Sequence, residues 1–347
     1  MIDWTQVERV LVIRLRSIGD TVLSTPSLFA LRRFLPAARI DILLEDWVAP
    51  VLDGLEFVDN VIRVEKGAIA RMRTALQLRR DRYDVVFNLH GGTTATFLTR
   101  GTGAPHRVGY RDYQYSFLHN HLSPPASEFW ESEKTHSAEQ QLALLGSVGV
   151  PVSDRPRSSL AVTPAALAAI DAKAQFDAPF ALIHPAAAFA TKQWAAENFA
   201  RIAEYFAACG IKRVAVAAGK ETDVLDELTG SSRVPITTFD DLSLPEITAL
   251  ASRAAIFVGN DSGIAHVAAA VGTPSVVIFG SSNRDHWRPW TDAPNEIVFE
   301  EFDCQPCPGY RCEVFGEPKC IQSVRTESVI AAIDRVLKKA EHDAPPS

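Results

Sequence analysis

Short apolar runs alternate with amphipathic stretches along most of the 347-residue chain. In the first half, VLVIRL, ARIDILLE, VIRV, DVVFNL and HRVGY have the length and β-branched content of buried strands. Between them, PSLFALRRFL, residues 47–54, RMRTALQLRR and SAEQQLALLGSVGV read as helices. This alternation predicts a parallel sheet wrapped by helices. PVSDRPRSSLAVTP then places three prolines in fourteen residues, so a link between two domains is expected near residues 151–175. The pattern starts again after it. FALIHP, KRVAVAAG, PITTF, AIFVGN and PSVVIFG read as strands, and ENFARIAEYFAACG, ETDVLDELTG, LPEITALASRA and GIAHVAAAVG as helices. The expected organisation is one Rossmann-like domain at 1–160, a second at 176–325, and a C-terminal helix and tail at 326–347. Ligands belong at the carboxyl ends of the strands, in a cleft between the two.

Composition narrows the class. Apolar residues make up 47% and charged residues 22%, enough to fill two cores without disordered tracts. No run approaches the roughly 20 apolar residues that span a bilayer, so no transmembrane segment is expected. The start, MIDWTQVERV, carries acids where a signal peptide carries bases, which predicts a cytoplasmic protein. The net charge of −7 is uneven, at +3 over residues 1–120 and −10 beyond. Arg14, Arg16, Arg32, Arg33, Arg71, Arg73, Arg79 and Arg80 suit an anionic partner on the first domain, or form a solvated surface. Aromatic residues do not interleave with them as a nucleic-acid platform requires, so no nucleic acid is expected.

Three strand ends carry candidate chemistry. After VLVI, RLRSIGDTVLSTPSL places Ser17, Gly19, Asp20 and Thr21 at a turn, where Asp20 is either a helix cap or a reactive carboxylate. AIFVGNDSGIAHV places Asp261, Ser262 and Gly263 at the start of a helix whose free amides and dipole suit a phosphate or diphosphate, with His266 one turn in. A well-capped buried helix explains the same residues without a ligand. IHPAAAFATKQW puts Lys192 between a strand end and a helix, placed for a phosphate leaving group or for solvent. Glu221, after KRVAVAAG, suits the two hydroxyls of a ribose, or the first turn of a helix. Finally, Cys304, Cys307, Cys312 and Cys320 form C-x2-C-x4-C-x7-C, closer to a structural zinc or iron–sulfur site than to disulfides in a cytoplasmic protein.

RLRSIGDTVLSTPSLFALRRFLPAARIDIL, VVFNLHGG with RVGY, IHPAAAFATKQW and VGNDSGIAHVAAAVGTPSVVIFG together resemble glycosyltransferase family 9, the ADP-heptose:lipopolysaccharide heptosyltransferases, over about residues 9–335. The resemblance implies an α/β GT-B fold, two Rossmann-like domains with parallel sheets facing a central cleft. It implies inverting, metal-independent transfer of heptose from a nucleotide sugar, ADP-heptose, to an anionic glycolipid acceptor at the inner membrane surface, with no cofactor. By the same resemblance Asp20 is the general base, with Ser17, Gly19 and Thr21 in the acceptor or cleft loop. Lys192 holds the departing diphosphate, Glu221 the ribose and Asp261 the heptose hydroxyls. Ser262 and Gly263 offer amides to phosphate, and His266 lines the donor site. One departure stands out: Ala186, Ala187 and Ala188 occupy a loop where the family commonly has glycine and hydroxyl residues, leaving only backbone donors. A transferase or epimerase using another nucleotide sugar, or a binding protein without transfer activity, are the alternatives.

Overall fold

The computed structural model describes residues 1–217, 223–307 and 309–343. The chain divides into two units, Met1–Ala161 and Val162–Ser347. In the first, strands β1 (Arg9–Leu15), β2 (Arg39–Glu45), β3 (Asn60–Val64), β4 (Val85–Asn88), β5 (His106–Tyr110) and β6 (His121–Ser123) form one sheet in the order β3-β2-β1-β4-β5-β6. All its pairings are parallel. Val10 to Ile13 lie at the centre, paired on both sides and fully buried, which is why VLVI reads as a continuous apolar run and not as an alternation.

The second unit repeats the design. Strands β7 (Phe180–His184), β8 (Lys212–Val216), β9 (Thr237–Phe239), β10 (Ile256–Asn260), β11 (Ser275–Phe279) and β12 (Asn295–Phe299) form a second parallel sheet in the order β9-β8-β7-β10-β11-β12. Two Rossmann-ordered parallel sheets make the α/β, GT-B fold that the resemblance implied. In each sheet the strand order reverses at the central pair, β1 with β4 and β7 with β10. The carboxyl ends of such a central pair are where open parallel sheets generally bind ligands.

The core of the second unit sets its loops. Trp194 is fully buried; its Nε1 donates to the Val324 carbonyl at 2.9 Å and its ring packs edge-on against Phe199 at 5.1 Å. Burying an aromatic of this size contributes about 1.5–3 kcal/mol, so the segment just after Lys192 is firmly seated. Alanine and Phe positions of the following helix, Ala196–Ala208, cover the same core.

Several elements depart from the sequence reading. The proline-rich link contains a helix, Pro164–Lys173, because Thr163 Oγ1 accepts from the Ala166 amide at 3.2 Å and Pro164 takes the first helical position, where its missing N–H costs nothing. Residues 47–54 hold only a 3₁₀ turn, Ala49–Leu52, with Pro50 inside it. Among the helices not anticipated, Ile18–Val22 is too short for a period and Gly92–Gly101 is rich in threonine and glycine. Both follow the central strands of the first sheet.

Candidate functional site

In the first unit, β1 ends at Leu15 and the helix Ile18–Val22 begins almost at once. Ser17 holds the cap position and Asp20 falls at the third helical residue, so Asp20 is not the cap. Its carboxylate instead forms an ion pair with Arg14 and accepts a hydrogen bond from Ser17 Oγ at 2.9 Å. Arg14 is itself anchored, its Nη1 donating to the Leu89 carbonyl at 2.8 Å across the β1–β4 pair. The Asp20 side chain is 21% exposed, so the carboxylate is oriented by two partners yet open to a ligand. Ser17 and Asp20, three apart, share the outward face of the turn. Gly19 and Thr21 do not: both are buried, Thr21 completely, because the turn directs them into the unit.

His90 borders the same site from the loop after β4. Burial pushes its pKa down to about 4, and the positive charge of Arg14 adds to that, so it is neutral near pH 7. Its Nδ1 is buried without a hydrogen-bond partner among the described residues. Asn88 Oδ1 shapes this loop by accepting from the amides of His90 at 3.2 Å and Gly91 at 3.0 Å. Gly91 has φ +67°, and a Cβ there would meet the Tyr113 ring at 2.9 Å, so only glycine fits.

In the second unit, the loops leaving β7 and β10 bring Lys192 and Asp261 together, Nζ to Oδ2 at 2.8 Å. Ser282 Oγ, just beyond β11, donates to the same carboxylate oxygen at 2.5 Å. Asp261 is only 5% exposed and Lys192 21%, so the cation retains an open side. Asn260 ties the two loops, its Nδ2 donating to the Pro185 carbonyl at 2.8 Å and its Oδ1 accepting from the Trp194 amide at 3.1 Å.

The helix Gly263–Ala270 starts directly after Ser262. The Ser262 hydroxyl lies 3.1 Å from His184 Nδ1 and makes no cap bond, so the helix begins without a side-chain cap. Its first amides and the positive end of its dipole are left for an anion, and Gly263 adds no side chain to shield them. His184 is buried, which lowers its pKa to about 4. His266, one turn in, is also buried, with its ring 6.5 Å from that of Trp287. In the alanine loop, the Ala187 amide already donates to Gln193 Oε1 at 3.1 Å, so that backbone donor is occupied.

Glu221 lies outside the described residues. Cys304, Cys307, Cys312 and Cys320 are free thiols; burial and then the neighbouring Cys307, Cys304 and Cys312 push Cys320 up. Among the described residues no group of three or more His, Cys, Asp or Glu side chains is arranged to hold a metal ion. Of the arginines expected to face an anion, Arg14, Arg32 and Arg33 are paired within the unit, with Asp20, Asp59 and Asp154. Sequence reasoning passed over His90, Gln193, Asn260 and Ser282. Asn260, between a buried strand and the Asp-Ser-Gly turn, was the most readable of them. An arginine inside the apolar run VLVIRL was also a signal that Arg14 needed a buried partner.

Residues 71–315 match glycosyltransferase family 9 (heptosyltransferase). Lipopolysaccharide heptosyltransferase 3 of Escherichia coli K12 is 29% identical, over 95% of this chain and 98% of its own. A family 9 glycosyl transferase structure from Veillonella parvula is similar with a TM-score of 0.82 at 21% identity, covering 96% of this chain and 97% of that one. The structure of E. coli ADP-heptose lps heptosyltransferase II is similar with a TM-score of 0.81, also at 21% identity, over 96% and 99%. These two likenesses concern the fold; the family match covers well over half of the sequence, including Lys192, Asp261, Ser262, Gly263 and His266 of the second site, whereas Arg14, Ser17 and Asp20 of the first lie before it. The chain belongs to glycosyltransferase family 9, the heptosyltransferase family, and is a glycosyltransferase.

Proposed function

We propose that the protein transfers heptose from ADP-heptose to the inner core of lipopolysaccharide, with inversion and without a metal ion, from the cytoplasmic side of the inner membrane. The observation that carries this reading is Asp20, a partly open carboxylate oriented by Arg14 and Ser17 at the switch point of the first sheet. In the reaction, an acceptor hydroxyl passes its proton to Asp20 while its oxygen attacks C1 of the heptose and the bond from C1 to the diphosphate breaks. The departing ADP gathers negative charge, which Lys192 and the uncapped amides at Gly263 are placed to meet. Asp261 takes heptose hydroxyls and Glu221 the ribose. Asp261 also repels phosphate, which orients the donor with its diphosphate toward Lys192 and its sugar toward the carboxylate. The names of the similar E. coli proteins support heptose as the sugar and lipopolysaccharide as the acceptor.

Asp20→Asn tests the assignment. The amide keeps the size and the Ser17 contact but cannot accept the proton. Turnover should fall by about 10²–10⁴-fold while ADP-heptose binding, measured by calorimetry, stays as in the wild type. Unchanged turnover would refute the base assignment. ADP-heptose should also raise the melting temperature where UDP-sugars do not, and stabilisation by a UDP-sugar alone would favour the other-donor alternative.

A further inference from the structure

We propose that the helix Ala68–Arg80, with the aromatic cluster beside it, is the surface on which the protein rests against an anionic bilayer. The helix reads AIARMRTALQLRR, with four arginines and no acidic residue. Thr74 and Leu78 are its buried positions. Ile69, Met72 and Leu76 point the other way, at 64%, 60% and 53% exposure. Spaced three and four apart, they form one stripe. At 100° per residue Arg79 borders it on one side and Arg73 and Arg80 on the other. This pattern inverts that of a helix whose apolar side serves only the core.

The stripe continues onto the next helix. Arg71 donates to Thr94 at 3.3 Å and a Cβ on Gly101 would touch Ala75, so Thr94 and Gly101 mark the edge of Gly92–Gly101 that meets Ala68–Arg80. Phe97 lies between them on that edge and is exposed. Its ring is 5.5 Å from that of Tyr115, which is 6.3 Å from Phe117, also exposed. Scattered apolar residues on a surface are ordinary; a contiguous stripe rimmed by cations is the composition of an interfacial helix, whose apolar face sinks about 5–10 Å into the headgroup region. Charge selects the occupant. Anionic headgroups complement the unopposed arginines, whereas a second copy docking through the same face would set like charges against one another.

The inference deepens the reading of a transferase with a lipid-linked acceptor, but vesicles without acceptor test it separately from turnover. Full-length protein is sedimented with vesicles of phosphatidylcholine alone and of phosphatidylcholine with about one third phosphatidylglycerol. Binding to the anionic vesicles only, reversed by about 0.5 M salt, is expected. Met72→Ser with Leu76→Ser, and separately Arg73→Gln with Arg80→Gln, should each weaken that binding by about tenfold or more. Because all four side chains are exposed, melting temperatures should stay at the wild-type value, which separates lost docking from lost folding. Wild-type protein that fails to sediment with anionic vesicles, or variants that bind as well as wild type, would overturn the proposal. So would a lipid-free dimer dispersed by the serine pair, which would assign the face to a second copy.

Discussion

A carboxylate as enclosed as Asp261 is costly unless its charge is met, and Lys192 and Ser282 both meet it. Removing the lysine therefore does two things at once. Lys192→Met should lower unfolding free energy by about 1–3 kcal/mol and weaken ADP binding by about 10–100-fold. Lys192→Met with Asp261→Asn should recover most of the stability but not the binding, since the orphaned charge is gone while the phosphate partner is still missing. Urea unfolding and calorimetry read the two effects apart; a single variant as stable as wild type would show that the pair is not desolvated. Lys192 and Asp261 were legible individually as polar residues at strand ends. Their pairing was not, because it joins positions 69 apart in sequence, and Ser282 enters from a third loop.

The elements explain how those residues hold position. Gly280, at the end of β11, packs directly beneath the turn that carries Lys192, and the Ser281 amide donates to the Thr191 carbonyl at 3.2 Å. A Cβ at Gly280 would fall 2.1 Å from that carbonyl oxygen, a backbone atom that cannot swing aside. Gly280→Ala should therefore displace the Ala190–Lys192 turn, lowering stability by about 1–3 kcal/mol and donor affinity with it. Measured affinity at the wild-type value would mean that the turn does not position Lys192. The buried central strands of each sheet were legible because β-branched runs flanked by turn residues have little alternative. The helix Pro164–Lys173 was obscured because proline signals both a linker and a helix start, and a Thr cap decides between them only when its hydroxyl meets the amide three residues on.

Across the whole molecule, each site sits where a parallel sheet reverses its strand order, and each contains a histidine held neutral by desolvation, half-buried His90 in the first and buried His184 in the second. His184 titrates near 4 when folded against 6.5 for a free imidazole, because burial disfavours the charged ring. The sign follows directly. Above pH 6.5 both states are neutral and the group has no effect; as pH falls from 6.5 toward 4 the unfolded chain gains a proton that the native state refuses, and stability drops, by about 2–3 kcal/mol for a fully buried ring. His184→Asn, which can keep a partner for Ser262, should reduce the stability difference between pH 7 and pH 4.5 by about that amount in urea unfolding. Parallel losses in both proteins would place the acid sensitivity elsewhere. No helix among the described residues is long and apolar enough to cross a membrane. The sequence by itself determined the alternation of strand and helix, the repetition of that pattern in two units, and the turns where polar residues follow buried strands, since these depend on local periodicity and backbone preference. Only the tertiary structure decided which side chains meet: Arg14 with Asp20, Lys192 with Asp261 and Ser282, and the burial of Thr21. Lys192, Asp261 and Ser282 come from loops far apart along the chain, and Arg14, though near Asp20 in sequence, is anchored by Leu89 beyond the neighbouring strand; these distances are set by sheet order and core packing, which local pattern does not encode.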